Sequence, residues 1–468
     1  MSDLTERKVS LEVTPDKRSK RKLTYTYDGL GRVAKRIFQA NDYYGSQIAF
    51  QSEYSYLAGG HGAGSTTTLV RAIQQAGNRH EYQYDAHGNI TQERRQGKAP
   101  IVGQKTNTRY PAVDVEGKRL TTDADGELTA NVERTIWPLL PMSFDDKKNE
   151  SWKIGFEEKP LAGTSGETVN AYVEVPVRRS LISEENKTLA ASTENMGEWC
   201  DTTYAYDALG QLTRINDDKE QSTWTYKYDR GGNILEKRQF VYTTAREPHY
   251  MDLRKIIPYT YGDGNWKDKL TAYDGKAITY DAIGNPRSYD GWAYTWKAGR
   301  MLARMTKGGV NPVDAFFTYD HTGLRVRKVA KGVATLYTLN GTKITHIRKT
   351  TALLNDPNAL INANGPGSPN MHFFYDAQGR AAIVRYNEVD YAYLHNLQGD
   401  VTGLVDMRGN TVVQYAYDAW GKPVATEGSM ADTLGYDNPF RYRGYVWDEE
   451  TGLYYLRSRY YNPEWGGS

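Results

Sequence analysis

Along much of the chain, large side chains recur two residues apart and then give way to a short polar turn. The pairs are Tyr25 and Tyr27, Tyr82 and Tyr84, Tyr204 and Tyr206, Tyr226 and Tyr228, Ile278 and Tyr280, Phe317 and Tyr319, Phe373 and Tyr375, and Tyr415 and Tyr417. Residues i and i+2 of a strand point to one face, so each pair predicts a strand with two large side chains on the same side. The second residue of each pair, always a tyrosine, opens Tyr-Asp-x-x-Gly. Its aspartates are Asp28, Asp85, Asp207, Asp229, Asp281, Asp320, Asp376 and Asp418, and its glycines are Gly31, Gly88, Gly210, Gly232, Gly284, Gly323, Gly379 and Gly421. An aspartate there accepts backbone N–H bonds and opens a turn. The glycine takes the left-handed conformation that reverses the chain. A new apolar strand often comes next, at Val33, Ile90, Leu212 and Ile234. The predicted unit is a β-hairpin, and the aspartates read as turn caps rather than catalytic carboxylates.

Hairpins this short are marginal alone, so they are expected to join side by side into one long sheet that curls with strand twist. Tyr393 to Asp400 reads as a decayed copy, and Tyr273-Asp-Gly and Tyr289-Asp-Gly as divergent hairpins. The organisation expected is a lead-in at 1–20, with an edge strand around Val9 to Val13. Repeat hairpins come next at 21–96, then a divergent or inserted β segment at 97–201, and hairpins again at 202–392. Closing hairpins occupy 393–466, with a tail at 467–468. Within 97–201, turns are expected at 113–117 and 122–126, a kinked apolar piece at 136–141, a strand at Val169 to Val177, and a weak helix near 183–195. Residues 59–65 and 355–369 read as loops.

The last stretch, from Asn438 to Gly466, is dense in Arg and Tyr. It predicts a strand from Phe440 to Trp447, a turn through Gly452, and a strand from Leu453 to Tyr461 stopped by Asn462-Pro463. Its conspicuous residues are Arg441, Tyr442, Arg443, Gly444, Tyr445, Gly452, Leu453, Tyr454, Tyr455, Arg457, Arg459, Tyr460, Tyr461, Pro463 and Gly466. Glu449 and Glu450 are expected to pair with the four arginines inside this hairpin.

Composition supports an all-β chain: 37 Tyr and 44 Gly stand beside only 10 Phe. A net charge of +2 gives no argument for nucleic-acid or acidic-membrane binding. No apolar run approaches the roughly 20 residues of a membrane-spanning helix, and the first residues lack a signal-peptide core. Cys200 stands alone, which excludes an intramolecular disulfide framework; it reads as a buried structural thiol. The eight histidines show no metal-ligand spacing, and Asp123 to Gly126 lacks the Glu that would complete a calcium loop. No nucleophile elbow or P-loop is present. No catalytic residue, cofactor or metal ligand is therefore assigned.

The eight Tyr-Asp-x-x-Gly units resemble the YD repeats of the RHS/YD-repeat superfamily. Asn396 to Leu404, Tyr415 to Gly421, and Arg441-Tyr-Arg-Gly-Tyr445 to Arg457-Ser-Arg-Tyr-Tyr461 resemble its C-terminal repeat-associated core. The resemblance implies a spiralling β-strip that forms a hollow shell around a variable C-terminal toxin, with the core closing one end. In several relatives the core also contributes an aspartyl self-cleaving site. Here Gly466 is followed by Gly467-Ser468, without the arginine and aspartates of that site, so no catalytic residue carries over. The expectation is an open or partial shell segment of a polymorphic toxin or wall-associated protein, truncated before its toxin. It would be secreted or at the cell surface as part of a larger protein. Its partner would be the toxin cargo or the remainder of a longer YD-repeat protein. The alternative is a module whose exposed rings bind cell-surface glycans or proteins.

Overall fold

The computed structural model describes residues 10–13, 21–41, 47–59, 66–98, 104–111, 153–156, 171–179, 197–309, 312–353, 356–360, 369–387 and 389–466. The expectations for 59–65 beyond Gly59, for 113–117, 122–126, 136–141 and 183–195, and for the tail at 467–468 lie outside them.

Among these residues one sheet has 28 strands, and its strands pair antiparallel with their neighbours. Its first strand, Ser10–Val13, pairs with Arg21–Tyr27. Its last, Pro423–Glu427, pairs with Thr411–Tyr417, and the two ends do not join into a barrel. At one place the neighbours in space are far apart in sequence: Ile90–Gln96 pairs with Cys200–Tyr206. The chain between them leaves the sheet and forms its own three-stranded sheet from Gln104–Pro111, Lys153–Phe156 and Ala171–Arg179.

Turn chemistry explains the meander. Asp274-Gly275 and Asp290-Gly291 have positive φ at both positions, the two-residue geometry whose twist matches the strands it joins. In the Tyr-Asp-x-x-Gly turns the aspartate N–H donates to the carbonyl four residues on, as in Asp229 to Asn233 at 2.9 Å. The aspartate carboxylate then caps two amides, here those of Gly231 at 2.8 Å and Asn233 at 2.9 Å. The same pair of bonds recurs at Asp28, Asp85, Asp207, Asp281, Asp320, Asp376 and Asp418. It also occurs at Asp406, which no tyrosine precedes. Asn396 makes the variant form, closing its turn through the backbone of Gly399 and Asp400.

A second regularity ties each hairpin to the one before. The hydroxyls of Tyr84, Tyr206, Tyr228, Tyr280, Tyr319, Tyr375 and Tyr417 donate to the carbonyls of Val70, Ile90, Leu212, Leu270, Leu302, Ile344 and Val401. Five of these carbonyls, those of Ile90, Leu212, Leu302, Ile344 and Val401, lie in the first two residues of a strand. A buried phenol needs such a partner, so each ring fills the apolar face without leaving its hydroxyl unpaired.

The sheet rolls over itself. In Arg21–Tyr27 alternate residues are buried: Arg21, Leu23 and Tyr25. The apolar ones pack with Phe38 on Ala382 and Ile383 of Ala381–Tyr386. The opposite face of the same late strands, carrying Phe373, Tyr393 and Tyr415, packs on the closing segment. Strands in this position are buried on both faces, and five of the six residues of Ala381–Tyr386 are buried. The result is three layers: early strands outside, late strands in the middle, closing segment within. Polar contacts fix the outer winding. Arg21 grips Asp390, Arg36 grips Asp376, Tyr25 Oη accepts from Ala377 N at 2.8 Å, and Tyr82 Oη accepts from Leu397 N at 2.9 Å.

Candidate functional site: the closing segment inside the roll

The closing segment departs from the predicted two-stranded hairpin. Phe440 to Trp447 is not one strand: Tyr442–Gly444 forms a tight helical turn with Arg443 at φ 55°, and only Val446–Asp448 is extended. Leu453 to Tyr461 breaks at Arg457, at φ 69°, into Leu453–Tyr455 and Tyr460–Tyr461. The cause is local bonding. Arg443 N reaches the Asp400 carboxylate at 2.8 Å, and Leu456 N closes on Arg459 O at 2.9 Å. Asp356–Leu360, expected as loop, pairs as a strand with the chain just before it. Cys200, expected buried, is half-buried at the start of a strand.

Three polar knots hold the segment. In the first, Asn438 accepts from Tyr393 Oη at 2.7 Å and donates to Tyr415 Oη at 3.2 Å and Phe440 O at 3.0 Å. Arg441 lies over the Tyr415 ring, 4.0 Å from its centroid, and donates to the carbonyls of Gly435 and Asn438. Its guanidinium is buried without a carboxylate and is satisfied by main chain and π-face.

In the second knot, Asp448 is fully buried and binds Arg325 Nη2 at 3.0 Å and Lys328 Nζ at 3.1 Å. Lys328 also binds Glu450, and Arg325 N donates to Tyr455 Oη at 2.8 Å. Burial pushes the Asp448 carboxyl up, but Arg325 and Lys328 outweigh it and hold the group below its usual range. Burial likewise acts on Glu450, which Lys328 holds low. The acidic turn therefore pairs with the strand Arg325–Ala330, not with the arginines of its own hairpin as expected. Glu449 accepts from Trp447 Nε1 at 2.7 Å instead.

The third knot seats the end of the chain. Tyr454 Oη donates to Gly421 O and Tyr461 Oη to Trp420 O, each at 2.7 Å. Trp465 stacks edge-on with Tyr289 at 4.7 Å, and Lys237 Nζ donates to Glu464 O at 2.8 Å. Lys237 is buried among Trp224, Tyr259 and Tyr273, and burial pulls its ammonium down to about 8. Burial also separates otherwise identical turn aspartates. Asp85 is lowered, mainly by the Asn89 side chain, whereas burial raises Asp418.

Of the predicted core residues, Arg441, Leu453, Tyr454, Tyr455, Tyr460 and Pro463 are buried. Tyr442, Tyr445, Gly452, Tyr461 and Gly466 are half-buried, and Arg443, Gly444, Arg457 and Arg459 are exposed. Arg325, Lys328, Asp437, Asn438 and Asp448 were absent from that set. One signal was available: Arg325 stands two residues after its turn glycine, where other repeats carry Val33, Ile90, Leu212 or Ile234. Among the described residues no cluster of three His, Cys, Asp or Glu side chains has metal-site geometry.

A rolled sheet of capped Tyr-Asp-x-x-Gly hairpins around its own C-terminal segment defines a YD-repeat shell. The Teneurin YD-shell family model matches residues 179–467, and the chain belongs to this family, within the RHS/YD-repeat superfamily. It is 33% identical over 261 residues to tRNA nuclease WapA of Bacillus subtilis (strain 168), covering 56% of this chain and 10% of that protein. It is 25% identical over 301 residues to double-stranded DNA deaminase toxin A of Burkholderia cenocepacia (strain H111), covering 56% of this chain and 20% of that protein. Among solved structures, it is similar to the crystal structure of TcdB2-TccC3. That match has 15% identity and a TM-score of 0.40, over 98% of this chain and 25% of the other. The chain thus spans a tenth to a fifth of the length of these two curated relatives.

Proposed function

We propose that this chain is a shell segment of an RHS/YD-repeat polymorphic toxin or wall-associated protein, and that it encloses or presents a toxin joined after the closing segment. The observation that carries this reading is the position of the chain's last described residues. The aromatic face that wraps Tyr455 and Tyr460 continues through Tyr259, Tyr273 and Tyr289, and Trp465 lies on it. A segment joined there would start on the concave side of the sheet. Relatives named as a tRNA nuclease and a DNA deaminase toxin support a toxic cargo. In this reading the segment itself does no chemistry and acts as part of a larger secreted or cell-surface protein. Among the described residues no helix is long and apolar enough to cross a membrane.

Limited proteolysis of the full-length polypeptide tests the reading. The part beyond residue 468 resists protease until denaturant opens the sheet; cleavage at the same rate before and after opening would count against enclosure. A second reading, binding of surface glycans, rests on the exposed rings of Tyr250 and Trp266, which are 75% and 51% accessible. A glycan array in which Tyr250→Ala and Trp266→Ala leave every signal unchanged would remove it.

A further inference from the structure

A cavity of about 650 Å³ lies between the Leu456–Arg459 bend of the closing segment and the inner face of the late strands. Among the described residues its wall carries six cationic side chains, Arg325, Lys343, Arg380, Arg443, Arg457 and Arg459, and no Asp or Glu. Three of the six are already matched from behind. Arg325 binds Asp448, Arg380 binds Asp376 at 3.1 Å, and Arg443 lies 3.6 Å from Asp400. The other three are not. Among the described residues no carboxylate pairs with Lys343, Arg457 or Arg459; Lys343 only lies over the Tyr375 ring, 5.0 Å from its centroid. Arg457 is held at φ 69°, a left-handed conformation that L side chains disfavour.

A second observation points into the same space. His395 lines the cavity, is 3% exposed, and its Nδ1 has no hydrogen-bond partner among the described residues. A buried ring nitrogen without a partner forgoes a hydrogen bond that water would supply outside the fold. The cavity thus presents unmatched donors among apolar and aromatic walls such as Leu339, Phe440 and Tyr455.

We propose that this cavity binds a carboxylate-bearing segment of polypeptide, with Lys343, Arg457 and Arg459 as its charge partners. The molecule itself supplies the precedent. Of the four buried arginines among the described residues, Arg21, Arg36 and Arg325 are each met by a carboxylate from another part of the chain, and Arg441 by main-chain carbonyls and a tyrosine ring. Arg-to-carboxylate forks are strong and directional, and the apolar walls suit the side chains between acidic residues. A size of 650 Å³ falls among ligand-binding clefts. The proposal rests on the shell reading only for the source of the segment, an enclosed partner chain; binding itself is measured independently.

The test is calorimetric titration of a short blocked peptide of alternating Asp and Leu into the chain, with inorganic pyrophosphate as a parallel probe. Saturable peptide binding is expected, weakening with added salt as screened charges require. The double variant Arg457→Gln, Arg459→Gln is expected to lose about tenfold or more in affinity, and Lys343→Gln a smaller factor. Arg304→Gln, at an exposed ion pair with Asp314 elsewhere, should bind unchanged. Arg457 and Arg459 are exposed, so circular dichroism should show the variants folded. No saturable peptide binding, equal affinity in the double variant, or binding of pyrophosphate alone would each overturn the proposal. Failure here leaves the proteolysis result for the full-length polypeptide untouched, so the two readings fail separately.

Discussion

The hydroxyl of Tyr206 donates to the carbonyl oxygen of Ile90 at 2.9 Å, across a sequence separation of 116 residues. It is the same bond that Tyr228 makes to Leu212 one hairpin later, at 2.7 Å. The hairpin ladder therefore continues across the interruption as though the intervening chain were a loop. The two ends of that loop also meet, with Gly197 N donating to Gly97 O at 2.8 Å. Replacing residues 99–196 by a short Gly/Ser linker should leave the strand signal in circular dichroism and shift the thermal midpoint by only a few degrees. Loss of the cooperative transition would show that the insertion supports the sheet.

The ladder bond itself has a measurable worth. Tyr228→Phe keeps the ring and removes the hydroxyl, leaving the Leu212 carbonyl short of a partner. Denaturant unfolding should show a loss of about 1 kcal/mol, in line with one part-buried hydrogen bond. No change would mean that water replaces the hydroxyl there at no cost.

Gly88 and Gly421 occupy the same turn position at the same φ of 85°. Their surroundings differ. A Cβ on Gly88 meets nothing within 4 Å, whereas one on Gly421 would collide with Cδ1 of the Tyr442 ring. Gly88→Ala should cost about 1–2 kcal/mol, the left-handed penalty alone. Gly421→Ala should cost distinctly more, because the Tyr442 ring and the closing segment must shift. Equal losses in urea titrations would mean that the segment is loosely seated.

Asp448 gives the pH dependence. Its carboxyl is below its usual range in the fold, so as the pH falls the unfolded chain takes up a proton before the native state does. The stabilisation is present above about pH 4, the ordinary carboxylate value, and is lost as the pH falls through the lowered native value. Glu450 acts in the same direction. Acid unfolding should begin in this window, and Lys328→Met should move its onset to higher pH. Asp448→Ala strands Arg325 in the interior, leaves Lys328 with Glu450 alone, and should cost about 3–5 kcal/mol. A smaller loss, with an unchanged acid profile, would show that water reaches the pair.

The repeat hairpins were legible because their signal is local: a large apolar or aromatic side chain at i−2, Tyr at i, Asp as cap and Gly at positive φ fall within a few residues. Asp406 escaped because no tyrosine marks its turn, although its bonds are the same. The partners of the closing segment were not legible because they are distant. Asp448 lies 123 residues from Arg325, and nothing near either residue names the other. The assignment of Glu450 to the hairpin's own arginines rested on proximity in sequence, where the fold instead brings in Lys328. The rolling of early strands over late ones was hidden for the same reason. It shows as two-sided burial in Ala381–Tyr386 and Val389–His395, whose continuous apolar runs do not name the early strands that cover them.

If the sheet is a shell, its concave face receives the polypeptide that continues beyond the closing segment. Electron cryomicroscopy of the natural full-length polypeptide examines this relationship without an intermediary. Density is expected to continue past Gly466 into a space bounded by the face carrying Tyr259, Tyr273 and Tyr289. Density that leaves Gly466 for open solvent, or that ends there with nothing enclosed, would contradict the shell role.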